Sequence, residues 1–198
     1  MRLSELFLED GAWLRAFASR PSAPGRAPTV VELGCGLGLP SLVLAIVLAL
    51  VHGLPPRAVL TDRAAIARLA AEGVRRNRET LAGIADVRVE ELEWTESASV
   101  RALKDRHLDG AGPDVILGCD VVFDPLFGGG ARAGGNPLLE VLGGLARDDT
   151  VVLLALERRK DDGIDAFFRE AALAGYAYEV LRAVDGVMIV EMARRPAK

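Results

Sequence analysis

The sequence predicts an α/β protein built on one doubly wound, mostly parallel sheet whose final strand runs antiparallel. Three observations carry that prediction. Short runs rich in Val, Leu and Ile alternate with longer segments of helical period, the order that lays helices over both faces of a parallel sheet. The first run, TVVEL, opens directly into GCGLG, a turn cleared of side chains. The last two runs flank only Val184, Asp185 and Gly186, a link short enough to force antiparallel pairing.

Each element follows from local pattern and punctuation. LSELFLEDGAWLRAFASR carries apolar residues at helical spacing and is expected as one N-terminal helix, ended by the linker PSAPGRAP. TVVEL suits a strand buried on both faces. Pro40 fits the first turn of the next helix, which should stop at Gly53 before Pro55 and Pro56. RAVLTD is a second strand, AAIARLAAEGVRRNRETL one long helix, DVRVEELEW a third strand and ESASVRALKDRHL a weaker helix. Strand DVILGCDVV, a glycine-rich loop over residues 128–135 and helix NPLLEVLGGLAR come next, then strand TVVLLALE and helix DDGIDAFFREAALAG. AYEVLRA and GVMIVEMAR complete a seven-stranded, Rossmann-like doubly wound sheet.

Bulk composition narrows the function classes. With 198 residues, 51% of them hydrophobic, the chain can bury one sizeable core, and a single globular domain is expected. A net charge of -4 argues against a general grip on nucleic-acid backbones and fits a basic partner better. Cys35 and Cys119 form no metal-binding or disulfide-framework spacing, which points to a reducing, cytoplasmic or nuclear compartment. The opening MRLSELFLEDGAWLRAF lacks the basic flank and long apolar core of a secretory signal, and Leu42 to Leu50 is too short to span a bilayer. No membrane role and no bound metal are expected; His52 and His107 belong to no motif.

The glycine turn identifies a ligand class. In an open parallel sheet, ligands sit beyond the carboxyl ends of the strands, beside the first strand-to-helix turn. Gly34, Gly36 and Gly38 fall there in the spacing G-x-G-x-G, with Leu39 where a dinucleotide fingerprint would place its last glycine. Glu32, two residues before the first glycine, would repel phosphates and suits a cationic ligand such as the sulfonium and amino group of S-adenosylmethionine. Asp62 closes the second strand, where a carboxylate either binds ribose hydroxyls or caps the helix that follows. Trp94 either lines an adenine pocket or belongs to the core. Asp120, and Phe123 three residues on, follow the fourth strand, where they either meet the substrate or serve the local loop and core. Phe127 is open to the same core reading, and ERRK reads as a solvated strand end.

ELGCGLGLPSLVLA, LTD, VRRN, LEW, GCDVVFDPLF and ERRKDDGIDAFF occur in this order. As an ordered set they resemble the seven-strand protein methyltransferases that modify lysines of elongation factors, Hsp70-type chaperones and valosin-containing protein. The resemblance spans residues 30–168. It implies a methyltransferase domain over residues 29–198, preceded by a helix and linker over residues 1–28. It also implies S-adenosylmethionine bound by Glu32, Gly34, Gly36, Gly38, Asp62, Trp94 and Cys119, with Asp120 and Phe123 on the substrate side. Lysine of a protein substrate is then the expected acceptor, with arginine, histidine, a small molecule, or binding without turnover as alternatives. The chain departs from these relatives at Phe123, where they carry Tyr, and at Gly73, where they often carry Asn.

Overall fold

A computed structural model describes residues 2–9, 11–19, 26–122 and 136–195. The chain divides into two compact units, Met1–Glu91 and Leu92–Lys198.

The first unit starts with helical residues α1 (Arg2–Glu9) and α2 (Gly11–Ala18), both inside the stretch expected as an N-terminal helix. Leu3, Leu6, Phe7, Leu14 and Phe17 are buried, and Trp13 stacks on Phe17 with ring centroids 5.6 Å apart. Both helices pack against α3 (Leu39–His52).

Strand β1 (Thr29–Leu33) is buried along its whole length, the acid Glu32 included. Each of Val30, Val31 and Leu33, withdrawn fully from water, contributes roughly 1.5–3 kcal/mol of gross stabilisation. Pro40 sits in the first turn of α3, and Gly53 terminates it in the left-handed region at φ 66°, donating to the Ala49 carbonyl. β2 (Arg57–Asp62) pairs parallel with β1, Thr29 opposite Arg57, and β3 (Asp86–Glu91) pairs parallel with β2. β3 ends at Glu91, so Trp94 lies beyond the strand expected to carry it.

The long helix expected over residues 64–81 is interrupted. α4 (Ala64–Arg76) stops at Asn77, whose φ of -100° and ψ of 10° leave helical geometry, and α5 (Arg78–Leu81) follows. The Asn77 amide donates to the Gly73 carbonyl at 2.8 Å, a side-chain bond that competes with the helix ladder.

In the second unit, α6 (Ser97–His107) leads to β4 (Val115–Cys119), and α7 (Pro137–Leu145) leads to β5 (Val151–Glu157). The Asn136 side chain caps α7 by accepting from Leu138 N. A Cβ on Gly144 would stand 2.8 Å from the Val100 side chain, so α6 and α7 approach over a position that only glycine fits. Arg147 binds Asp114 at 2.9 Å and the Gly112 carbonyl, while the Thr150 hydroxyl donates to the Pro113 carbonyl. That cluster ties together the residues just before β4 and β5, which pair parallel with Val115 opposite Val151.

After α8 (Ile164–Leu173) come β6 (Tyr176–Val184) and β7 (Val187–Arg194). They pair antiparallel through Asp185 and Gly186, both at positive φ as a tight two-residue hairpin turn demands. β7 also pairs antiparallel with β5, so it lies inside the sheet and β6 forms the edge. The register of β6 against β7 shifts between Val180 and Arg182. The strands are ordered β3-β2-β1 in the first unit and β4-β5-β7-β6 in the second, the mostly parallel α/β class with an antiparallel final strand that the sequence predicts.

Gly73 lies inside α4, and a Cβ there would meet nothing within 4 Å. Gly73→Ala should therefore stabilise the protein by about 0.5–1 kcal/mol through lower unfolded-state entropy. Urea denaturation measures this; an unchanged or lower midpoint would mean that the glycine serves a contact at this position.

Candidate active site

In the first unit, β1 delivers a glycine turn held at every second residue in the left-handed region. Gly34, Gly36 and Gly38 have φ of 64°, 55° and 76°, which side chains disfavour. Two of these glycines have distinct spatial roles. A Cβ on Gly36 would point into open space, whereas one on Gly38 would meet Leu60 at 2.5 Å, so Gly38 permits close packing of α3 on β2.

The turn is bonded to the end of β2. Cys35 N donates to the Thr61 carbonyl at 2.9 Å, and Gly36 N donates to Asp62 Oδ2 at 3.0 Å. The other oxygen, Asp62 Oδ1, accepts from Arg63 N at 2.8 Å. The capping alternative for Asp62 is not realised, because Arg63 occupies the N-cap position of α4 and no side chain caps that helix. Asp62 instead presents a carboxylate fixed against the glycine turn.

Glu32 is only 1% exposed, and its Oε2 accepts from Ser41 N in the first turn of α3 at 3.2 Å. The Thr61 hydroxyl donates to the Glu32 carbonyl at 2.6 Å, pinning the same residue from β2. Burial pushes the Glu32 carboxyl up from 4.5 to about 7; the Ser41 backbone hydrogen bond opposes this and the Asp62 charge adds to it. Burial, then the charges of Glu32 and Asp62, push the Cys35 thiol up to about 12. Cys35 is thus a neutral packing residue at physiological pH. Two acids, Glu32 and Asp62, stand beside the open backbone of Gly36, an arrangement that fits a cationic adenosyl ligand and disfavours a pyrophosphate.

The second unit places the remaining candidates at two positions. Trp94, half-buried, borders a cleft of about 460 Å³ lined also by Thr95, Ser97, Arg101, Lys104 and Glu140. Cys119 ends β4 opposite Ala155 on β5. Asp120 follows in the left-handed region at φ 56°, unusual for a residue with a side chain, and its N–H donates to the Ala155 carbonyl at 2.8 Å. Val121 and Val122 are buried immediately after it. Phe123, Phe127 and the loop over residues 128–135 lie outside the described residues.

Sequence reasoning missed one participant. Arg159, in the stretch read as a solvated strand end, is exposed, yet its Nη2 reaches Asp120 Oδ2 at 2.8 Å and Glu157 Oε2 at 2.5 Å. The available signal was the pair of arginines directly after β5, the strand beside the one that delivers Asp120.

The sequence matches a family described as lysine methyltransferase over residues 9–173. The chain belongs to the lysine methyltransferase family. The matched span begins in α1, includes every candidate residue named above and ends with α8; β6 and β7 lie beyond it.

A curated relative, secreted RxLR effector protein 48 of Plasmopara viticola, is 50% identical over 54 residues, 27% of this chain and 26% of that protein. The chain therefore matches about a quarter of that relative's length. The ribosomal protein L11 methylase of Lactobacillus delbrueckii subsp. bulgaricus aligns with 98% of this chain and 77% of its own at 16% identity and a TM-score of 0.54. LepI in complex with SAM aligns with 92% of this chain and 46% of its own at 12% identity and a TM-score of 0.58. These structures share the fold of this lysine methyltransferase family member.

The raised Glu32 carboxyl has a defined pH signature. A group that holds its proton more tightly folded than unfolded favours the folded state at low pH, and that contribution is lost as pH rises from about 4.5 to 7. Relative to Glu32→Gln, the unliganded wild type should lose on the order of 3 kcal/mol across this window. Chemical denaturation of both proteins at a series of pH values tests it. Parallel stability curves would show that burial leaves the Glu32 carboxyl unperturbed.

Proposed function

We propose that this chain transfers a methyl group from S-adenosylmethionine to lysine side chains of a protein substrate. The family makes it a methyltransferase, with S-adenosylmethionine as cofactor. The observation that carries the cofactor side is the Glu32 carboxylate, buried beside a glycine turn that opens backbone toward a ligand. Lysine as acceptor is supported by the family's description. An acidic chain, with a pI near 5.3, also suits a lysine-bearing partner surface. Elongation factors and chaperones, the targets of the relatives it resembles, are proposed as the partner class; nucleic acid and membrane are not.

When bound, the cofactor supplies an electrophilic methyl on a positively charged sulfur. In this reading, Glu32 offsets the ligand's positive charge and Asp62 accepts from the ribose hydroxyls. The Gly34 to Gly38 backbone admits the ligand closely, and Trp94 covers the adenine. Asp120 orients the incoming amine, so the chain's contribution is alignment and exclusion of water. A lysine amine has a reference pKa of about 10.4 and must shed a proton before its lone pair can attack.

Protein extract incubated with labelled S-adenosylmethionine, with and without the enzyme, tests the acceptor. An enzyme-dependent labelled protein band with label on lysine is expected. A labelled small product, label on another residue, or binding without transfer would overturn the lysine reading. Asp120→Asn should slow that labelling at least about tenfold while leaving cofactor affinity near wild type; full activity in the folded variant would remove Asp120 from the substrate site.

Asp62→Ala should weaken S-adenosylmethionine by about 1–3 kcal/mol, the cost of losing charge-assisted hydrogen bonds. Calorimetry reads this directly. Unchanged affinity would confine Asp62 to bracing the glycine turn.

A further inference from the structure

Past the carboxyl ends of β4 and β5, two carboxylates and one guanidinium are wired together. Asp120 Oδ2 and Glu157 Oε2 both accept from the same Arg159 nitrogen, Nη2. Arg159 is itself anchored, because its backbone N–H donates at 2.9 Å to Asp162 Oδ2, and Asp162 is 7% exposed. The second Asp162 oxygen accepts from Ile164 N at the start of α8. The neighbouring Arg158 points elsewhere, to Asp165 at 2.7 Å and Asp162 at 3.8 Å. The Arg158 side chain thus pairs with Asp165 and Asp162, and the Arg159 side chain with Asp120 and Glu157.

The pair adds little to stability. The side chains of Arg159 and Asp120 are 36% and 46% exposed, a setting in which ion pairs are weak. Asp120 nevertheless occupies a left-handed conformation, held by its bond to Ala155 and by buried Val121 and Val122. The arrangement therefore fixes a carboxylate and places a cation on one of its oxygens.

We propose that Arg159 is a positioning residue that lowers the negative charge Asp120 presents to an incoming amine, letting Asp120 orient the amine without trapping it as an ammonium ion. The inference rests on the methyl-transfer reading above, in which Asp120 faces the acceptor. Methyl transfer forms the nitrogen–carbon bond from the amine lone pair, breaks the sulfur–carbon bond, and leaves the thioether neutral. The proton must leave the ammonium for solvent before attack. A bare carboxylate beside the amine stabilises the ammonium and opposes that loss. Arg159 offsets this effect, while Glu157 holds the guanidinium in place and reduces its own repulsion of the substrate. Asp162, Arg158 and Asp165 are charged groups of the same segment, with Lys160 and Asp161 adjacent in the chain.

The probe is n-butylammonium, a lysine side-chain mimic, titrated into the whole protein in the presence of S-adenosylhomocysteine. Arg159→Gln should bind it at least about threefold more tightly than wild type, a gain that vanishes in the Asp120→Asn/Arg159→Gln double variant. Arg159→Lys, which keeps the charge, should resemble wild type. In the extract assay, Arg159→Gln should label at least about tenfold more slowly near pH 7 and recover toward the wild-type rate as pH approaches 10. Equal n-butylammonium affinity in wild type and Arg159→Gln, or no binding in any of the proteins, would overturn the proposal. So would a loss of rate that is uniform in pH, since that marks a purely structural role. These failures leave cofactor binding and wild-type labelling intact. Failure of the methyltransferase reading shows instead as wild type that neither binds S-adenosylmethionine nor labels any acceptor.

Discussion

The burial of the Glu32 carboxyl is the constraint around which the first unit is arranged. An ionised acid cut off from water is costly unless donors or a positive charge compensate it, and here one backbone amide of α3 is hydrogen-bonded to it. The strand before it, the helix after it and the hydroxyl of Thr61 fix the residue from three sides. An apolar side chain would serve the core better at this position. Retaining an acid where packing favours a hydrocarbon is the kind of local conflict that marks a site built for a ligand.

In the proposed reading, the positive charge of a sulfonium ligand is what resolves that conflict. Burial and the two nearby acids also hold the proton on the adjoining Cys35 thiol, which keeps it a poor nucleophile. The glycine turn then has two functions at once. Gly36 leaves space on the open side, and Gly38 brings the helix close to Leu60 on the packed side.

The features carried by short-range pattern were legible in the sequence. β1, the Pro40 and Gly53 limits of α3, and the hairpin at Asp185 and Gly186 each follow from residues within a few positions. Glu32, Asp62 and the glycines were legible for the same reason, because their relation is set by one strand-to-helix turn and the end of the next strand. What depends on competition or on distance was not. The period of residues 64–81 is helical throughout, so the departure from helical geometry at Asn77, whose amide bonds the Gly73 carbonyl, leaves no mark in it. Placing β7 between β5 and β6 is a matter of which strand β7 pairs with besides its hairpin partner, and periodicity carries no information about that. Arg159 escaped notice because its partner Asp120 is 39 residues away and meets it through strand pairing.

The shift of register in β6 has a consequence for the protein's behaviour in a crowded solution. An outermost strand offers unpaired backbone groups to any passing extended chain, and Tyr178, Val180 and Val184 on this one are exposed enough to reward such a meeting. The irregularity between Val180 and Arg182 falls in the middle of that stretch. It interrupts the even spacing that a second molecule would need to continue the ladder, which disfavours intermolecular strand addition, the first step toward fibrous aggregates.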